Sequence, residues 1–148
     1  QYRHFDLFPV GRLDIDTVGL IVLTNDGALS HRLLSPRHHI PKTYYAEVSG
    51  KLGDSEVSAF AEGMDLGDFI AQPSGMTIVS SDDDKSAAEV TIYEGKFHQI
   101  KRMFEKTGHT VTYLKRTAMN RLSLDESLGE GELRELTDRE LELLIYET

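Results

Sequence analysis

The stretch Gly11-Arg12-Leu13-Asp14-Ile15-Asp16-Thr17 runs almost directly into Gly19-Leu20-Ile21-Val22-Leu23-Thr24, and the reading of these residues decides the fold. The apolar run 19–24 predicts a strand, and its continuous character suggests cover on both faces. A loop that delivers a carboxylate to the edge of such a strand leaves it poorly hydrated. Asp14 therefore needs a partner or a task.

Outward from that point the pattern alternates between strands and short helices. Thr24-Asn25-Asp26-Gly27 supplies turn and cap chemistry for a helix at about 26–34, which Ser35-Pro36 stops. His38 and His39 follow on a loop. Residues 42–49 alternate with period two, with Tyr44, Ala46 and Val48 toward the core and Thr43, Tyr45 and Glu47 away from it. A helix over 54–63 turns Val57, Phe60 and Ala61 inward. Two strands at 76–80 and 87–93 are joined by Ser81-Asp82-Asp83-Asp84-Lys85. That acidic cluster lacks the glycine and distal glutamate of a calcium loop and reads as a solvated hairpin tip. A helix over 96–107 ends at Gly108, and strands at 109–117 and 122–124 follow. Thr137 and Glu140 form a capping box for a last helix with Leu141, Leu144 and Ile145 inward. Hairpin-like neighbours among interspersed helices predict an α+β fold with a mixed, largely antiparallel sheet.

At 148 residues the chain is long enough for one domain with its own core. No apolar run approaches the roughly 20 residues of a membrane helix, and the absence of cysteine excludes disulfide and thiolate chemistry and suits the cytoplasm. The chain opens on Gln1, not Met, and reads as part of a longer protein. Its net charge of −9 argues against a nucleic-acid partner only until the charges are placed along the chain. Residues 95–124 carry seven basic side chains against Glu105 alone, between an acidic segment at 54–94 and another at 125–148. Local charge decides whether a phosphate backbone docks, so RNA remains open as a partner.

The helix at 96–107 is the second informative stretch. Helical spacing puts Phe97, Ile100 and Phe104 on its apolar face with Lys101 at the edge of that face. Arg102 and Lys106, with His98 and Gln99, fall on or near the exposed face, where phosphate contact is natural. A lysine at an apolar edge ordinarily snorkels, and a strand tyrosine is ordinarily core. Taken together, a poorly hydrated Asp14, an inward Tyr44 and a half-buried Lys101 would make an ion pair beside an aromatic face.

The run from Gly11 to Gly27 resembles the catalytic signature of pseudouridine synthases, in the branch that modifies ribosomal RNA. Lys42-Thr43-Tyr44 resembles that family's tyrosine motif, and Phe97-His98-Gln99-Ile100-Lys101-Arg102-Met103 its third motif. The tail from Gly129 to Thr137 is similar to its closing segment, so the likeness spans nearly the whole chain in order. It implies a cytoplasmic, cofactor-free and metal-free isomerase, a monomer, that converts a uridine of ribosomal RNA, most similar to the small-subunit (16S) enzymes.

By that resemblance Asp14 is the nucleophile, Tyr44 stacks on the flipped base, and Lys101 pairs with the aspartate. Ile100 packs against the base, and Arg12 holds the flipped nucleotide's place or its phosphate. His98, Gln99 and Arg102 are expected to contact RNA on the separate ground of their place on or near the helix's exposed face. The family's N-terminal S4-like domain and its lysine-proline-glycine strand have no counterpart here, so residues 1–148 are expected to be a single catalytic domain truncated at its N-terminus. Three alternatives remain: a large-subunit enzyme, a non-catalytic RNA-binding or ribosome-assembly module, and a glycosidase using Asp14 and Asp16 as its carboxylate pair.

Overall fold

A computed structural model describes residues 5–147. Its centre is β4 (Lys42–Ser49), which pairs antiparallel with β8 (Lys85–Ile92) on one side and β9 (Val111–Met119) on the other. Outside β8 lies β7 (Gly75–Ser81), and the outer edge of β9 carries β10 (Leu122–Ser123) and, in parallel, β2 (Val18–Gly19). The sheet is thus mixed and largely antiparallel, the architecture expected of an α+β fold. Two small pairs stand outside it: β1 (Phe8–Pro9) with β3 (Leu23–Thr24), and β5 (Met64–Asp65) with β6 (Ile70–Ala71).

Alternation along β4 sends Lys42, Tyr44, Ala46 and Val48 to one face, as the period-two pattern requires. Helices α2 (Asp54–Glu62) and α3 (Gln99–Lys106) supply Phe60, Ile100, Met103 and Phe104 to that face. The rings of Phe60 and Phe104 meet at 4.9 Å with a 50° tilt. A second cluster joins α1 (Gly27–Leu34) and α4 (Asp138–Leu144) to the far end of the sheet through Val10, Leu33, Ile40, Met119 and Leu144. The caps are those the sequence predicts: Asp26 accepts from Leu29 N at 3.1 Å, and Thr137 and Glu140 close their capping box. Among the described residues no helix is long and apolar enough to cross a membrane.

Several expectations are corrected. The run 19–24 is not one strand covered on both faces: it breaks into β2 and β3, with Val22 buried and Ile21 and Leu23 partly in solvent. The break follows from Gly19, whose φ of +108° bends the chain away from β9. The third helix begins at Gln99, not at 96, because His98 takes a left-handed conformation (φ 49°) that no helix continues through. Phe97 consequently leaves the core and is 73% exposed. Ala61 is likewise exposed on α2, and Leu141 lies 41% exposed on α4 while Leu144 alone of that helix is buried.

The two phenylalanines of this segment should behave oppositely on truncation. In urea denaturation Phe104→Ala should lose about 3–5 kcal/mol, and Phe97→Ala should stay within about 0.5 kcal/mol of wild type.

Candidate active site

The loop at 11–17 is held at both ends. Before it, Val10 N donates to Val22 O at 2.7 Å; after it, Leu20 N donates to Arg116 O at 2.8 Å. Arg116 closes the second junction again with its side chain, its Nε donating to Leu20 O at 2.8 Å. A Cβ at Gly19 would lie 2.7 Å from the Arg116 nitrogen and closer still to its carbonyl oxygen, so only glycine fits there. Between the anchors Thr17 N donates to Asp14 O at 2.9 Å, a turn that buries Thr17 and pushes Ile15 and Asp16 outward.

Helix α3 begins beside this turn. Lys101 Nζ lies 3.6 Å from Asp14 Oδ2, with the two side chains 19% and 28% exposed, so the lysine and aspartate singled out in the sequence do meet. Its shorter contact, however, is a hydrogen-bonded ion pair with Asp16, which is therefore more than a loop residue. Partial burial works against the Lys101 charge, but the Asp16 hydrogen bond and the field of Asp14 more than offset it, and its pKa is raised. The same contact holds the Asp16 carboxyl below its ordinary range. His98 Nε2 adds a third contact at 3.5 Å from Asp14 Oδ1.

The other candidates divide. Tyr44 is half-buried on the core face of β4, packed against the cluster that contains Ile100. Arg12 is exposed on the loop, two residues before Asp14. Gln99 is not on an exposed face: it is 3% exposed, its Nε2 donates to Glu94 Oε1 at 2.6 Å, and its Oε1 accepts from Lys96 N at 3.2 Å. The later helix start explains this, since Gln99 becomes a first-turn residue that ties the entering chain to the core. Nor is Arg102 free for phosphate. Its guanidinium pairs with Asp68, donates to Leu66 O at 2.9 Å and Phe97 O at 3.2 Å, and lies 5.6 Å from the Phe69 ring centroid.

The sheet also holds two buried cations that the sequence reading missed. Lys42 and Arg116 are each 3% exposed, and Lys42 Nζ and Arg116 Nη2 have no hydrogen-bond partner among the described residues. Burial, reinforced by repulsion from Arg116 and opposed by buried Glu94, pushes Lys42 down to about 8. The available signal was parity: Lys42 shares its face with Tyr44 and Ala46, and Arg116 shares its face with Leu114.

Sequence and overall structure both match known proteins. A family model described as RNA pseudouridylate synthase matches residues 1–106. The chain belongs to that family. It is 45% identical over 145 residues to an uncharacterized RNA pseudouridine synthase of Bacillus subtilis, covering 97% of this chain and 61% of that protein. It is 42% identical over 139 residues to the ribosomal small subunit pseudouridine synthase A of Vibrio vulnificus, covering 93% and 59%. A crystal structure of a pseudouridylate synthase superposes with a TM-score of 0.87 at 42% identity, over 94% of this chain and 60% of that one. The chain thus spans about 60% of the length of these relatives. The archaeal box H/ACA sRNP Nop10-Cbf5 complex shares the fold alone, at 17% identity and a TM-score of 0.60.

Two measurements test the electrostatics of this site. Lys42 holds its proton more weakly folded (about 8) than at its ordinary 10.5. Its burial therefore costs stability below pH 8, and the cost fades as pH rises toward 10.5. The stability of wild type relative to Lys42→Met should rise by up to about 3 kcal/mol between pH 7 and 10.5, measured by urea denaturation at each pH. Separately, turnover on an RNA substrate should be lost in Lys101→Met and largely retained in Asp16→Asn. Equal loss in both would make Asp16 as essential as Lys101.

Proposed function

We propose that this chain carries the catalytic centre of an RNA pseudouridine synthase that isomerises a specific uridine of ribosomal RNA, with 16S RNA as the substrate. The single observation that carries the reading is Asp14, presented by a doubly anchored loop and held 3.6 Å from Lys101 in a half-buried site. The small-subunit name of the Vibrio vulnificus relative supports the choice of RNA. Ribosomal RNA as substrate supports work in the cytoplasm.

The reaction is an isomerisation, so its atoms balance within the substrate. The N1–C1′ glycosidic bond breaks and a C5–C1′ bond forms; a proton leaves C5, and N1 ends protonated. No cofactor enters that balance. Asp14, its side chain 28% exposed, is assigned the nucleophile. Lys101 supplies the counter-charge that keeps two neighbouring carboxylates together without repulsion driving the turn open. The glycosidic bond is inaccessible inside a stacked helix, so the uridine must be flipped out. Tyr44, inward and half-buried against the core cluster that includes Ile100, is assigned to stack on the flipped base, and exposed Arg12 to occupy or hold its place.

The test is pseudouridine mapping after incubation of 16S and 23S transcripts with the protein. Wild type should convert one uridine of the 16S transcript, and Asp14→Asn should convert none while keeping its melting temperature. Activity retained by Asp14→Asn would remove the assigned nucleophile, and conversion confined to the 23S transcript would move the enzyme to the large-subunit class.

A further inference from the structure

Phe97 sits where packing gives it no reason to be. It is 73% exposed, yet its orientation is set: the ring stacks on His98 with centroids 3.8 Å apart and planes within 16°. His98 in turn is placed by its left-handed backbone and lies 3.5 Å from Asp14. Next to Asp14 in the chain, Ile15 projects from the turn fully exposed. Two apolar side chains thus border Asp14, one bonded to its residue and one stacked on a group that touches it. Exposed Arg12 lies three residues before Ile15, and exposed Lys96 directly precedes Phe97.

We propose that Phe97 is a stacking platform for an unpaired RNA base adjacent to the flipped uridine, with Ile15 bordering the same site. The proposal rests on the RNA isomerase reading and adds to it how the neighbouring nucleotide is held. Flipping one nucleotide leaves its neighbour with an uncovered π-face, and a pre-oriented ring loses little freedom in covering it. The surrounding charge fits the same occupant, because Arg12 and Lys96 can meet the phosphates on either side of that base. Phenylalanine offers no hydrogen bond, so the platform contributes affinity and register but does not discriminate between bases. The left-handed His98 has a role in this arrangement: it turns Phe97 out of the helix and supplies the ring that backs it.

The chain contains no tryptophan, so Phe97→Trp provides a single, selectively excitable tryptophan at the platform. Its emission should be quenched on titration with a short uridine-containing single-stranded RNA. On the 16S transcript, Phe97→Ala should lower kcat/KM by about tenfold or more, mainly through KM, with the melting temperature unchanged, and Phe97→Trp should restore it. An unchanged kcat/KM in Phe97→Ala, or tryptophan emission that ignores RNA while uridine is converted, overturns the platform and leaves the isomerase standing. Emission already shielded from iodide without RNA also overturns it, because another part of the protein then covers the ring. Quenching by RNA without any pseudouridine formed would support the platform and defeat the isomerase reading instead.

Discussion

The site depends on the close approach of two backbones, that of Gly19 and that of Arg116. Parallel pairing of β2 with β9 brings them together, and the absence of a side chain at 19 permits it. Because Thr17 bonds back to Asp14, the position of the carboxylate follows from that contact within a single turn. Arg116 reinforces it with a buried guanidinium, an expensive group to desolvate when no carboxylate among the described residues forms a salt bridge with it. The molecule accepts a buried cation where the loop must not move, a common arrangement at sites whose geometry matters more than local stability.

The electrostatics above that junction are organised differently. Lys101 faces two carboxylates at once, Asp16 directly and Asp14 at longer range. Asp16 is well exposed and Asp14 less so, so the pair is graded: one carboxylate satisfies the lysine near solvent, and the other lies deeper at longer range from it. Arg102 and Lys106, which raise the formal charge of the same helix, instead fasten the segment around residues 65–68 through Asp68 and the carbonyls of Asp65 and Leu66. The basic segment at 95–124 is therefore less of an RNA-facing surface than its charge count implies.

Much of this was legible in the sequence where local rules act alone. The strand at 42–49, the helix capped by Asp26 and the capping box of Thr137 and Glu140 follow from periodicity and side-chain chemistry within a few residues. Phe97 and Gln99 were misplaced because a single left-handed residue at His98 displaced the helix start by three positions, and nothing in the local pattern marks a histidine for that conformation. The run 19–24 was misread because an apolar stretch shows neither a glycine's φ nor which edge of which strand it will join.

By itself the sequence determined the fold class and the family likeness and singled out Asp14, Tyr44 and Lys101 as candidates, since these rest on residue type, spacing and motif order. Only the tertiary structure decided which partners those residues meet. It brought Asp16 onto Lys101 across 85 positions of chain, joined Arg116 to Leu20, buried Lys42 and turned Phe97 to solvent. The reason is physical: contacts between distant segments depend on strand order and backbone approach. Those are properties of the whole packed sheet and are not encoded in any one stretch of it.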